Sequence, residues 1–391
     1  MKHTQKNTSR WTSPAKYRWI INPIIQTLLS FTTVVWGAIA SLFSREILAM
    51  TWLTLAFILF ALLIFVCFAV TRWVSLSNNK LVIDSILTMP PHDFWDDYGD
   101  RFSEASRTIA VLSDEAYGLI LDEEKNPDVL QRCKEDLQRN LRITLDALIK
   151  LTKKWDASNL QNHSIVYRAN IMKAYYFDSI SEQKMIELTD IADKFVFHPA
   201  MAHYSGYVTL ESDVYTTTTA SEHPEPDKQR KPIAFPFTLR GETHLDSPIT
   251  TNLLGAPEAL ATNAYSYIPN VDSIVSHYQQ SDTVDQRILQ HLSDYYNRSK
   301  DIACSLLSIP IHSIDTNVRV NYVVNIYRNQ EGLLFDGNKA KDFVSIVKPY
   351  IVELSRLLSI IDMFERYQAD VLQQRNTTKS TMDINTMEEM S

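Results

Sequence analysis

Arg319 to Arg328 reads RVNYVVNIYR, and in it Val320, Tyr322, Val324 and Ile326 alternate with Asn321, Val323, Asn325 and Tyr327. A period of two is the pattern of a strand, and the first set forms a core face. Just upstream, Ala303 to Ile311 (ACSLLSIPI) is a second apolar run, also read as a strand. Ser164 to Tyr176 (SIVYRANIMKAYY) and Tyr204 to Thr217 alternate as well, and Pro232 to Leu239 makes a shorter strand. The polar stretch 218–231, rich in Glu, Pro and Thr, predicts an exposed loop between strands.

Helical periodicity surrounds these strands. Phe94 to Asp122 and Asn126 to Trp155 form two helices, divided where Pro127 suits a helix start. In the second, Leu130, Cys133, Leu137, Leu141, Leu145 and Leu148 share one stripe, open to packing on the protein's own core or to a dimer seam. Gly255 opens a further helix and 272–280 another. Asp336 and Gly337 turn the chain into a helix from about Asn338 to Gln373, which Pro349 should kink or divide. Along it Val347, Tyr350, Leu354, Leu357, Ile361 and Phe364 alternate by three and four, a seam for a second subunit or a face for the sheet. The class is α+β.

The N-terminal quarter belongs to another solvent. Ile47 to Val70 (ILAMTWLTLAFILFALLIFVCFAV) carries no charge over 24 residues, a helix of roughly 36 Å against a hydrocarbon core of about 30 Å. Trp19 to Phe43 is also uncharged, and only Ser44, Arg45 and Glu46 separate the two runs, so spanning helices must form a hairpin. Lys2, Lys6, Arg10, Lys16 and Arg18 precede the first run, which places both termini in the cytoplasm and the chain in the inner membrane as a multi-pass protein. A cleaved signal peptide ending near Ala38, Ile39 and Ala40 is the rival reading. Gln26, Ser30, Thr33, Gly37, Ala40 and Ser44 fall on one helix face, suited to packing against the second helix or to lining water in an oligomer.

The resulting plan is a basic cytosolic tail at 1–18, a transmembrane hairpin at 19–71 (19–43 and 47–70), a juxtamembrane connector with helices at 72–155, an antiparallel-sheet domain at 156–368 ending in the long helix, and a disordered tail at 369–391. A fragment starting near position 126 is expected to be soluble and folded.

Composition excludes several classes. The formal charge is -8 and the chain beyond its tail is net acidic, without the clustered Lys and Arg that direct nucleic-acid binding needs. The 3 cysteines show neither disulfide nor metal spacing, and with only 8 glycines no phosphate-cradling loop occurs. No catalytic, metal or cofactor residues are nominated.

RANIM at Arg168 to Met172, LSIPI at Leu307 to Ile311 and VNIYR at Val324 to Arg328 resemble the first, penultimate and last strands of the GAF domain, a small-molecule-sensing module with an antiparallel sheet backed by helices. The resemblance covers roughly 140–368 and implies a pocket between the sheet and its covering helices, drawing on Arg168, His203, Tyr204, Tyr207, Arg240, Asp272 and His277. Taken by itself, Arg168 is out of phase with Tyr167 and Ile171, which also suits a side chain in water. The sequence has no HExxH and no glycine-flanked nucleophile serine at Ser205, so no enzyme activity is expected; the resemblance implies ligand sensing, and the expected partners are the bilayer, a nucleotide-like small molecule, a protein from the same operon and further copies of the chain. The overall plan is similar to two-helix membrane effectors of bacterial phage defence, acting by abortive infection. A membrane-tethered regulatory subunit that recruits a signalling enzyme such as a histidine kinase is the alternative.

Overall fold

A computed structural model describes residues 90–121, 127–156, 165–192, 195, 204–228, 231–239, 252–279, 286–299, 301–312, 319–335 and 337–389, together with six isolated positions before 90. The chain divides into two compact units, Met1–Met89 and Pro90–Ser391. In the first, Val34, Gly37, Ser41, Phe60, Leu62 and Val66 are helical and exposed. The rest of the two apolar runs lies outside the described residues, as do Gln26, Ser30, Thr33, Ala40 and Ser44. Among the described residues no helix is long and apolar enough to cross a membrane.

The second unit is α+β, built on one antiparallel sheet. In chain order its elements are α1 (His92–Leu121), α2 (Pro127–Asp156), β1 (Tyr167–Tyr176), α3 (Glu182–Ala192), β2 (Gly206–Leu210), β3 (Thr216–Thr218), β4 (Ile233–Phe237), α4 (Ala256–Thr262), β5 (Ser266–Ile268), α5 (Asp272–Gln279), α6 (Gln286–Ser299), β6 (Ser305–His312), β7 (Val320–Arg328) and α7 (Gly337–Glu389). The strand order is β4-β2-β1-β7-β6-β5, with β3 pairing β1 beside β2. The segment read as one strand over Tyr204 to Thr217 is therefore two. A single turn of 3₁₀ helix at Asp213–Tyr215 separates them, capped by Ser212, whose hydroxyl accepts from the Val214 N–H at 3.2 Å.

RVNYVVNIYR occupies the middle of the sheet, and both its faces are covered. One face of β1, β6 and β7, carrying Ala169, Ile171, Leu307, Ile309, Val324 and Ile326, packs against a layer of α1, α2 and α7. The leucine stripe of α2 is buried here. So are Val347, Tyr350, Leu354, Leu357, Ile361 and Phe364, none more than 1% exposed within a single chain. The seam expected to hold a second copy is filled by the protein's own core, because a heptad face that meets a sheet and two helices leaves no surface for a partner. Tyr98 of α1 ties the layer together: its ring meets Tyr350 edge-on at 5.4 Å and its hydroxyl donates to the Ile346 carbonyl at 3.0 Å. α7 runs on through Pro349, which is exposed, so water can serve the carbonyl that the missing N–H leaves open. Its backbone is helical to Glu389, beyond the point where polar composition suggested the end of structure.

The opposite face packs on α4, α5 and α6 through Met172, Leu210, Val323, Ala259, Leu260, Ile274, Tyr278 and Leu292. α3 covers the outer strands with Leu188 and Ala192 over Tyr207 and Ala234. α3, β5 and α6 have no counterpart in the sequence reading. β5 is only three residues long, whereas α6 carries Ile288, Leu289, Leu292, Tyr295 and Tyr296 at helical spacing, a stripe that the sequence held and the reading passed over.

A buried ionic cluster closes one end of the sheet. Arg328, at the last position of β7, is 2% exposed and pairs with Asp156, the fully buried last residue of α2. Asp156 also accepts from the Tyr167 hydroxyl at 2.9 Å and from the Leu334 N–H at 3.1 Å. Leu334 and Phe335 hold φ values of 56° and 62°, in the left-handed region that L residues rarely adopt. The bond to Asp156 fixes that turn and so aims the start of α7. Burial raises the Asp156 carboxyl above its ordinary range against the lowering pull of Arg328. Burial also pushes the Cys133 thiol in α2 up to about 11, so it stays protonated and inert.

Two outcomes are expected. A fragment beginning at Pro90 is folded, whereas one beginning near 126 lacks α1 with Phe94, Ile109 and Ala116, all fully buried, and exposes α2 and α7; purification and thermal unfolding of both fragments distinguish them. Asp156→Ala, which strands Arg328, lowers stability by about 3–5 kcal/mol in urea unfolding.

Candidate functional site

Asn170 of β1 and Asn325 of β7 stand opposite one another in register, and Ser308 of β6 stands opposite Asn325. Because all three point to the side covered by α4 and α6, they form a polar row across the centre of an apolar face. The Ser308 hydroxyl donates to Asn325 Oδ1 at 2.6 Å, and Asn325 Nδ2 donates to Asn170 Oδ1 at 2.7 Å. Buried polar groups are normally paired, and this row is paired from one end only. Among the described residues no acceptor takes the Asn170 Nδ2 hydrogens, although the side chain is only 8% exposed.

Above the row is a cavity of about 280 Å³. Its floor is Asn170, Met172, Asn325 and Tyr327, and its walls include Leu210, Phe235, Leu253, Ala256, Tyr295, Tyr296 and Leu306. Gly255 sets one wall: with φ of 100° it turns the chain into α4, and a Cβ there would stand 3.0 Å from Leu306 Cδ2. Its N–H donates to the Ser266 hydroxyl at 3.1 Å, which holds the turn against β5. Tyr295 is locked edge-on against Phe195 at 5.2 Å and against Phe235 at 6.3 Å. The Tyr296 hydroxyl makes no hydrogen bond among the described residues, and burial raises its phenol well above the ordinary range, so it remains a donor. Lys231 is exposed and stands at the mouth, the one charged side chain among the described lining residues.

The polar stretch before β4 is not simply a solvated loop. Asp227 within it is 4% exposed and forms a buried ion pair with Arg168, its Oδ2 3.1 Å from Nε. Arg168 also donates to the Ile302 carbonyl at 3.3 Å, next to the cavity wall. The Asp227 N–H is held in turn by the Thr216 hydroxyl at 2.7 Å. Arg168 therefore faces neither water nor the cavity. It latches the segment that carries Lys231 and Pro232 to the mouth.

The other expected site residues are not brought together. Tyr207 is fully buried on the far face of β2, sharing a hydrogen bond of 3.1 Å with Thr189 of α3. Tyr204 is half-buried and outside the cavity lining, while Asp272 and His277 are exposed on α5. His203 and Arg240 lie outside the described residues. The residues that do form the site, Asn170 and Asn325, sit inside RANIM and VNIYR, and the signal was an asparagine flanked on both sides by apolar residues in each of two strands. Among the described residues no group of three His, Cys, Asp or Glu side chains is placed to hold a metal ion.

No family model and no curated protein matches the chain. The site is thus read from its own geometry: a mostly apolar, aromatic-walled space on the sheet, with neutral donors at its floor and no acid or base positioned for proton transfer among the described lining residues.

Arg168→Met is expected to lower stability by about 3 kcal/mol, since it removes the cation paired with the buried Asp227, and Asp227→Asn in the same chain should restore part of the loss. A double-mutant cycle by urea unfolding measures the coupling.

Proposed function

We propose that the protein is a membrane-anchored sensor and effector. Its cytosolic GAF-like domain detects a small ligand or partner and controls an N-terminal transmembrane hairpin, which perturbs the inner membrane in antiviral defence. The observation that carries the reading is the joining, in one chain, of two uncharged apolar runs to a domain that keeps a partly open cavity on its sheet. Within those runs Val34 and Leu62 are helical yet 72% and 60% exposed, as suits side chains solvated by lipid. An antiparallel sheet covered by helices on both faces, with its cavity beneath the covering helices, supports the GAF-like part of the reading. Ligand binding at the cavity would favour one arrangement of the domain over another, and the hairpin would respond to that shift.

The test is expression in bacteria with a membrane-potential dye. The intact chain should depolarise cells, and replacing 19–71 with an unrelated two-helix anchor should keep the protein in the membrane fraction while abolishing depolarisation. Undiminished killing by the swapped chain would refute the effector role. Recovery of the full-length chain as a water-soluble species without detergent would refute the anchor.

A further inference from the structure

We infer that the cavity selects a small, flat, largely apolar molecule that carries a carbonyl-type oxygen, which Asn170 reads with its free amide hydrogens. The inference deepens the sensor reading and rests on it only in taking this cavity as the sensing site.

The direction of the polar row decides what the site can recognise. Among the described residues the Ser308 hydroxyl hydrogen has no acceptor besides Asn325 Oδ1. That makes Asn325 the donor to Asn170 through Nδ2, and engages one lone pair of the Asn170 oxygen. What Asn170 presents with no partner among the described residues is chiefly its two amide hydrogens. A ligand oxygen that accepts from them takes the place of water at this amide, whereas a ligand lacking such an oxygen displaces that water with nothing in exchange. The Tyr296 hydroxyl on the wall can donate or accept, so the preference for a carbonyl or carboxyl group over an amine or a cation is set by the amide hydrogens of Asn170.

Size and surroundings narrow the class further. At about 280 Å³ the cavity is just below the range of roughly 300–1,000 Å³ for small-molecule sites. Tyr295, Tyr296, Phe235 and Tyr327 offer ring faces and edges to a planar partner. A phosphate ester ordinarily needs several charged donors or a helix N-terminus, and the described lining supplies only the exposed Lys231. The composition of the walls thus favours a ring bearing one neutral or singly charged carbonyl group over a nucleotide.

The experiment is calorimetric titration of the full-length chain in lipid nanodiscs, with empty nanodiscs as the blank. The probes are indole, indole-3-carboxamide, indole-3-carboxylate and cyclic AMP. Indole-3-carboxamide should bind at least about tenfold more tightly than indole. Asn170→Asp keeps the acceptor for Asn325 and removes the free donors at nearly constant shape. It should abolish the preference for the carboxamide over indole, read as the ratio of the two affinities in the same variant. Lys231→Ala should weaken indole-3-carboxylate alone. Equal binding of indole and its carboxamide, an unaltered preference in Asn170→Asp, tighter binding of cyclic AMP than of the carboxamide, or no binding of any probe would each overturn the inference. These results are distinct from the depolarisation test: a cavity that binds the carboxamide in a chain whose hairpin can be exchanged without consequence leaves the site standing and removes only the effector role.

Discussion

The ion pair of Asp156 with Arg328 is the constraint around which the second unit is arranged. It joins the last residue of α2 to the last residue of β7, 172 positions later in the chain. Its remaining hydrogen bonds reach β1 through Tyr167 and the left-handed turn through Leu334. Lys339, only 1% exposed, adds a bond of 3.2 Å to the Trp155 carbonyl from the first turns of α7. Two charges in so dry a place are costly unless each is fully satisfied, and here each is bound by several elements at once. The pair therefore specifies geometry: it sets the angle at which α2 and α7 leave the sheet, and with it the layer in which the heptad face of α7 is consumed.

With that layer in place, the two faces of the sheet take different characters. The face under α1, α2 and α7 is close-packed with aliphatic and aromatic side chains. The other face carries the Ser308, Asn325 and Asn170 row and is covered by shorter helices, one of them seven residues long, on turns set by Gly255 and by Asn263 at φ of 52°. Short helices joined by tight turns leave space that long helices fill. The cavity stands where this looser cover meets the polar row, and the Arg168 to Asp227 latch keeps the segment with Lys231 beside its mouth. Rigid packing on one side and an open polar site on the other is an arrangement in which occupancy of the cavity can bias α4 and α6 without disturbing the main core.

Much of the local architecture was legible in the residues. The alternation in RVNYVVNIYR, the run ACSLLSIPI and the leucine stripe of α2 fixed strands and helices close to where they lie, since each element's own periodicity reports its buried side. The 3₁₀ turn that divides β2 from β3 was not legible, because Ser212 acts through a cap to Val214 that short alternation conceals. Nor was the fate of Arg168, whose phase suited water but whose partner Asp227 comes from a loop of ordinary polar composition.

By itself the sequence determined the element types, the α+β class and the presence of two uncharged apolar runs ahead of the domain, because these follow from local spacing and composition. Only the tertiary structure decided that Val347 to Phe364 belongs to the chain's own core, that Arg168 is a latch, and that Asn170 and Asn325 share the floor of one cavity. Those outcomes depend on which strand lies beside which, and residues 155 positions apart can meet in register only once the sheet has closed.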